Sequence, residues 1–402
     1  MWDGIPGTDR EMAIAMTRYA RVLWVDPQIS VVTRARMGGQ AAGGITPSLS
    51  EVADRITRLT PVALPGLTRP GIRATTAPLL RAQVRWALRR LGVRPSAVVA
   101  GYLEDVLGRW DGAANVLYCT DDYVAGASLM GLSARRLRAQ ERRALARADT
   151  VAVVSPTLAE HWSSLGAQPV LIPNGCHPTA GPATSRPGVA PDLPRPVVGL
   201  VGQLSERIDL DILTALADAG FSLLMVGPHD PRWEPQRFAA LTARPNVSYA
   251  GRVPQEAVPS YLAAADIGIT PYTASPFNRA SFPLKTLEYL GAGLPVVSTD
   301  LPGARWLLDD LARSDPAEQQ MTGQIMTLAG TPADVVAAVR RMAGEPGGKP
   351  GGEPAGEQRA DRCRAFAARH SWARRAAALA GVIGFTPSGE DHEAPVAAAG
   401  GR

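Results

Sequence analysis

Ser275–Thr299 reads SPFNRASFPLKTLEYLGAGLPVVST. It parses as a polar loop, a short helix opened at Pro283, a Gly291-Ala292-Gly293 break and a buried strand over Pro295–Ser298. Proline suits a helix start because its φ is already helical and the N–H it lacks would be unpaired there. Such a start, projecting from a loop, carries free N–H groups and the positive end of the dipole, which suits an anion. Lys285 and Glu288, three residues apart, project from one side of this helix. An anion-ready helix start beside a carboxylate fits a nucleotide diphosphate, with the carboxylate on the ribose hydroxyls. The plainer reading is a solvated Lys–Glu pair contributing about 0.2–0.5 kcal/mol.

The surroundings of that stretch repeat its strand-and-helix grammar. Before it lie short apolar runs at Val197–Val201, Leu223–Val226, Val247–Tyr249 and Ile267–Thr270, and after it Gln324–Leu328. An earlier series comprises Val22–Val25, Ala97–Ala100, Val116–Cys119 and Val151–Val154. Continuous apolar runs of this length mark parallel strands buried on both faces. Between them, Leu80, Val84, Ala87, Leu88 and Leu91 form a helical stripe closed by Gly92. The fold class is therefore α/β: two Rossmann-like, doubly wound domains facing across a cleft, with ligand at the carboxyl ends of the strands.

Boundaries follow composition. Residues 1–178 form the first domain, 179–196 a Pro/Gly/Ala-rich linker, and 197–343 the second domain. Residues 344–360 read as a flexible insertion, 361–384 as a terminal helix, and 385–402 as a disordered tail. At its start, Trp2-Asp3-Gly4-Ile5-Pro6-Gly7 looks like the loop after a first strand, followed by a helix near Arg10–Arg21, yet no strand precedes it. The expectation is an upstream start or a first domain lacking its opening strand.

The 402 residues are 46% hydrophobic and 20% charged, ordinary for a globular protein. Scattered Cys119, Cys176 and Cys363 suggest neither a disulfide framework nor a zinc site. With no long apolar span and no signal peptide, the expected location is cytoplasmic. The charge of +5 is almost wholly arginine, and aromatics are only 5%, which argues against a nucleic-acid partner.

In its second half the chain resembles the donor half of glycosyltransferases of the GT-B fold, specifically glycosyltransferase family 4. The segments are VVGLVGQLSERIDLDIL, FSLLMVGP, NVSYAGRVP, YLAAADIGITPY, PLKTLEYLGAGLPVVST and ARHSWARRAAAL. WDGIPGTDR, RVLWVDP, VLYCTDDY, ERRALARADTVAVVS and LIPNG are similar to the subgroup containing teichuronic-acid biosynthesis transferases. The resemblance implies a sugar transferred from a nucleotide diphosphate-sugar to a hydroxyl acceptor in cell-surface polysaccharide, glycolipid or natural-product synthesis, with retention and without metal or other cofactor. It also implies residue roles. Glu288 matches the second glutamate of a paired motif that holds the ribose; Ala280 stands where the first would be, leaving Asn278, Ser281 or the Phe282–Pro283–Leu284 segment to meet the sugar. Gly202 matches the glycine beside the phosphates, followed by Gln203 where the family has arginine. Arg207 and Lys285 fall where cations meet the diphosphate, and Arg252 and Val253 where backbone reads the base. Gly4 belongs to the acceptor-side loop.

Other features carry two readings each. Asp121-Asp122 ends an apolar strand, so either carboxylate could receive a proton or orient an acceptor hydroxyl; alternatively the pair caps a turn. Asp209-Leu210-Asp211 matches a metal-binding pattern but reads better as a helix start, so no metal is expected. His229 follows another strand end and is a candidate for lining the donor site. The arginines of Leu132–Ala148 form either a solvated face or a contact with anionic membrane serving a lipid-linked acceptor. An epimerase of the same fold and a non-catalytic nucleotide-sugar-binding relative are the alternative functions.

Overall fold

The helix–break–strand of 275–299 lies within a parallel sheet of six strands in the computed structural model, which describes residues 2–4, 7–36, 46–66, 69–129, 131–177, 191, 193–314, 322–344 and 353–386. Strands are numbered here along the chain: in the first lobe β1 (Val22–Val25), β2 (Ile29–Ser30), β3 (Ser48–Ala53), β4 (Ile56–Thr60), β5 (Val62–Ala63), β6 (Ala97–Ala100), β7 (Ala114–Cys119), β8 (Thr150–Val153) and β9 (Val170–Leu171). The second lobe holds β10 (Val197–Val201), β11 (Ser222–Val226), β12 (Val247–Tyr249), β13 (Ile267–Thr270), β14 (Val296–Thr299) and β15 (Met326–Ala329).

The second lobe has strand order β12-β11-β10-β13-β14-β15. The chain winds outward from β10 in one direction, then returns to β10's other side as β13, so the order reverses between them. Loops diverge at that switch point and open a crevice at the carboxyl ends of the strands. β10, β11, β13 and β14 are buried throughout, as their unbroken apolar sequences require.

The first lobe is divided. β6-β7-β8-β9 form one parallel sheet, β1-β4-β3 another, and β2 pairs with β5. The β3–β4 hairpin was not legible as apolar runs, and neither were the two-residue strands. Helix Pro70–Leu91 ends as its sequence indicates, at Gly92 with φ +66 and its N–H donating to the Arg89 and Leu88 carbonyls.

Two readings are corrected. Residues 275–282 are not all loop: Pro276–Ala280 is a short helix, its first N–H groups met by Ser275 Oγ, which accepts from the Asn278 N–H at 3.2 Å. The terminal helical pattern is two helices, Glu353–Arg369 and Trp372–Ile383, broken at His370-Ser371, where Ser371 caps the second. The first of them begins inside the stretch read as a flexible insertion. The readings on 179–190, 345–352 and 387–402 lie outside the described residues.

The lobes touch through specific groups. Helix Trp372–Ile383 packs on helix Thr8–Met16, while Glu353–Arg369 packs on Leu284–Gly291. Cys176 N–H donates to the His370 carbonyl at 2.9 Å and Trp372 N–H to the Cys176 carbonyl at 3.2 Å. Ser155 Oγ donates to the Ala280 carbonyl. One apolar cluster runs continuously from Val153 and Trp162 through Leu287 to Phe366 and Trp372, each such side chain contributing roughly 1.5–3 kcal/mol.

Candidate active site

β10 hands the chain directly to the crevice. The Gly202 N–H donates to the Val226 carbonyl at 2.8 Å, and Gly227 N–H donates to the Gly251 carbonyl at 2.8 Å, so the ends of three strands are tied side by side. A Cβ placed on Gly227, whose φ is +136, would stand 1.8 Å from the Gly202 carbonyl oxygen. Only glycine allows this approach.

Lys285 lies along that turn: its Cε is 3.6 Å from where a Gly202 Cβ would be. Its Nζ donates to Glu288 Oε2 at 2.6 Å, with both side chains about one-third exposed. The pair read from sequence is real, and it stands beside the glycine turn rather than on open surface. Helix Leu284–Gly291 is held there by Tyr289, whose OH accepts from the Val201 N–H at 2.8 Å.

Arg207 is fixed from all sides. Its Nε donates to Asn278 Oδ1 at 2.8 Å and its Nη2 to Ser281 Oγ at 3.2 Å. The guanidinium lies 4.9 Å from the Phe277 ring centre and 5.4 Å from that of Tyr272, a cation–π arrangement. Asn278 also donates through Nδ2 to the Arg207 and Thr273 carbonyls at 2.9 and 3.0 Å. Asn278 is thereby buried and orients Arg207; Ser281 likewise answers Arg207 and donates to the Phe277 carbonyl at 3.0 Å. Phe282 and Pro283 are buried and Leu284 is half-buried; Phe282 packs edge-on to Trp306 at 5.7 Å. These residues shape the helix start from behind.

The remaining readings separate. Gln203 and Arg252 are exposed on the turns after β10 and β12, and Val253 packs into the core shared by the lobes. Asp209 accepts from the Asp211 N–H at 2.9 Å, the cap of helix Leu210–Asp218, and Asp211 pairs with Arg237. His229 stacks on Phe238 at 3.9 Å and its Nε2 meets the Trp233 carbonyl at 3.1 Å, so its ring belongs to an aromatic cluster, while its backbone bridges to Leu204 on the turn after β10. Among the described residues no three His, Cys, Asp or Glu side chains converge as metal ligands.

Across the crevice stands the first lobe. Gly126 presses on the Phe277 ring, placing the 121–126 turn against the short helix that carries Asn278. Asp122 Oδ1 accepts from the Ala125 N–H at 2.8 Å and so serves that turn. Asp121 is the carboxylate sensed by Arg207: burial pushes it up to about 6, while the Arg207 charge opposes the rise. Sequence reading missed its neighbour Asp9, whose carboxylate lies against Gly101 and is pushed up to about 7 by burial first and by Asp121 second. The signal was present in WDGIPGTDR, but nothing in that string placed its aspartate opposite β7. Gly4 is exposed on residues 2–4, which are held to Asp26 at the end of β1 and to Arg58 of β4.

The geometry thus defines a two-lobed α/β protein with a glycine turn, a helix start, two cations and a carboxylate near the end of β10, Arg207, Lys285 and Glu288 all lying within electrostatic reach of Tyr272. Residues 195–344 match the family described as Glycosyl transferases group 1. A 108-residue stretch is 40% identical to a protein of Bacillus subtilis named as the teichuronic acid biosynthesis glycosyltransferase TuaH, covering 26% of this chain and 27% of that one. A 236-residue stretch is 28% identical to a phosphatidyl-myo-inositol mannosyltransferase of Propionibacterium freudenreichii, covering 57% of this chain and 54% of that protein. The chain thus spans about a quarter and about half the length of these two relatives. Among solved structures, sucrose-phosphate synthase of Thermosynechococcus elongatus superposes with a TM-score of 0.65 at 18% identity, covering 93% of this chain and 91% of that one. HepE of Anabaena in complex with UDP-glucose superposes at 0.59 and 16%, covering 96% and 98%. The fold is GT-B.

Proposed function

We propose that the protein is a glycosyltransferase that moves a sugar from a nucleotide diphosphate-sugar to a hydroxyl acceptor. What supports this reading is that Lys285 lies against the Gly202 turn and pairs with Glu288, while Arg207, Lys285 and Glu288 all act electrostatically on Tyr272. Arg207, Lys285 and the start of helix Leu284–Gly291 take the diphosphate, and Glu288 takes the ribose hydroxyls, releasing Lys285 from their present pairing. The sugar then faces Asp121 and Asp9 on the opposite lobe. The bond from the anomeric carbon to the phosphate oxygen breaks, the acceptor oxygen bonds to that carbon, and its proton passes to the departing phosphate or to Asp121. Charge on the leaving diphosphate is met by fixed cations and N–H dipoles, the form of catalysis that gains most in a closed, water-poor site.

Finer points rest on the family resemblance: retention at the anomeric carbon, no metal or other cofactor, a cytoplasmic location and a surface-polysaccharide, glycolipid or natural-product acceptor. The solved complexes of HepE with UDP-glucose and of starch synthase IV with ADP support a nucleotide donor. The exposed arginines Arg135, Arg136, Arg138, Arg142 and Arg143 on helix Ala134–Leu145, beside exposed Leu129 and Leu132, favour peripheral contact with anionic lipid and a lipid-linked acceptor. The test is thermal shift against UDP-, GDP-, ADP- and dTDP-sugars, followed by turnover of the stabilising donor with and without an acceptor extract. Nucleotide release that depends on acceptor supports transfer. Conversion of donor alone would identify an epimerase, and binding without turnover a non-catalytic relative.

A further inference from the structure

Tyr272 stands just past the carboxyl end of β13, and its backbone is clamped on both sides. Its N–H donates to Oγ1 of Thr299, the last residue of β14, at 3.1 Å. On the other side Tyr272 bridges to Ile208. There Asp209 N–H donates to the Pro271 carbonyl at 2.7 Å and Thr273 N–H to the Arg207 carbonyl at 2.9 Å. The loop that carries Arg207 is thus stitched to the end of β13.

The ring of Tyr272 lies 5.4 Å from the Arg207 guanidinium. Its phenol also feels Lys285 and Glu288, and acts in turn on Tyr289, whose own OH accepts from the Val201 N–H beside Gly202. Neighbouring tyrosines spend their hydroxyls on backbone: Tyr249 donates to the Gly227 carbonyl at 3.1 Å and Tyr289 to that of Val201 at 3.3 Å. Among the described residues nothing accepts from the Tyr272 hydroxyl or donates to it, and it is open to solvent on a half-buried side chain. Burial raises this phenol above its ordinary value and outweighs the opposing pull of Arg207 and Lys285, so it keeps its proton and offers an O–H donor. Arg207 and Lys285 have no lone pairs to accept it. What the spot lacks is an acceptor, and one bearing negative charge would gain from both cations at once.

We propose that Tyr272 is a further side chain holding the donor diphosphate, its phenolic O–H donating to a phosphate oxygen while its ring stays against Arg207. This rests on the glycosyltransferase reading given above. A neutral hydroxyl adds a short O–H···O⁻ bond to the diphosphate without crowding a third cation against Arg207 and Lys285. Because the backbone of Tyr272 is pinned to β14 and to the Arg207 loop, the donor is already aimed when charge develops on the departing group.

The test is calorimetric titration of the parent, Tyr272→Phe and Tyr272→Leu with inorganic pyrophosphate and with UDP, GDP, ADP and dTDP, in low salt and in about 0.5 M sodium chloride. Phenylalanine removes the hydroxyl and keeps the ring against Arg207. Tyr272→Phe should melt with the parent yet bind pyrophosphate and the favoured nucleotide about tenfold more weakly. That ratio should hold in high salt, because the group removed carries no charge. Were the ring only a platform for Arg207, Tyr272→Phe would equal the parent and Tyr272→Leu alone would be impaired, which would overturn the proposal. A Tyr272→Phe deficit that vanishes in high salt, the mark of a displaced Arg207, would overturn it too. Both outcomes leave the donor-site reading standing. A parent that takes up neither pyrophosphate nor any of the four nucleotides would end that reading, and this proposal with it.

Discussion

The Gly202 carbonyl oxygen occupies the space in which any side chain at Gly227 would begin, 1.8 Å from a Cβ there. The turns after β10 and β11 are therefore packed backbone to backbone, and the floor of the proposed phosphate site depends on it. Gly227→Ala must push the two strand ends apart and also strain a residue at φ +136. We expect a loss of more than about 2 kcal/mol in urea unfolding, together with loss of nucleotide-induced thermal shift. An alanine variant melting with the parent would show that the turns can separate freely.

Arg207 is held as a fork, by Asn278 through Nε and Ser281 through Nη2. A lysine keeps the charge and loses the geometry. Arg207→Lys and Asn278→Ala should each weaken donor nucleotide binding by about tenfold, some 1.4 kcal/mol, with Arg207→Ala weaker still. Lys285→Gln should act similarly, whereas Glu288→Gln should weaken nucleoside diphosphates but leave inorganic pyrophosphate unaffected. Calorimetric titration with both ligands decides; equal losses for the two with Glu288→Gln would remove the ribose assignment.

The second lobe was legible because its strands are unbroken apolar runs with glycine or polar turns between them, and β10, β12 and β13 begin and end as read. The β3–β4 hairpin was not, because SLSEVADRITRLT alternates on a partly exposed edge and turns at Arg55 with φ +58, where no glycine marks it. For the candidate site, local pattern and resemblance pointed to Gly202, Arg207, Lys285 and Glu288, of which the structure places Lys285 against Gly202 and in a pair with Glu288. The engagement of Asn278 could not: it meets Arg207 across 71 residues of chain. Asp9 was invisible for the same reason, since its meaning comes from Gly101 and Asp121, which follow separate strands.

Ala280, which the family resemblance sets at the first glutamate of the paired motif, is 1% exposed, with its carbonyl accepting from Ser155 of the other lobe. A glutamate there would bring an unpaired carboxylate into the joint between lobes, where burying charge is costly. Ala280→Glu should lower Tm by several degrees and give no gain in donor binding. Differential scanning calorimetry with and without nucleotide separates the effects, and a stabilised, tighter-binding variant would mean that the position still faces the sugar.

Asp9 supplies the last prediction, and its sign follows from a raised pKa. In the folded chain burial, then Asp121, hold its carboxyl up to about 7, and burial holds Asp121 up to about 6 against the pull of Arg207. Unfolded, both titrate near the ordinary aspartate value of about 3.9. Between these values the folded chain binds protons that the unfolded chain has released, so stability falls as pH rises from about 4 to about 7. Asparagine at position 9 mimics the protonated form and also relieves Asp121. Asp9→Asn should therefore match the parent near pH 4, exceed it at pH 8 by a few degrees in Tm, and flatten the decline between. Melting curves at unit pH intervals test this directly. A variant that loses stability equally at every pH would show that Asp9 is held by contacts its neutral form cannot make.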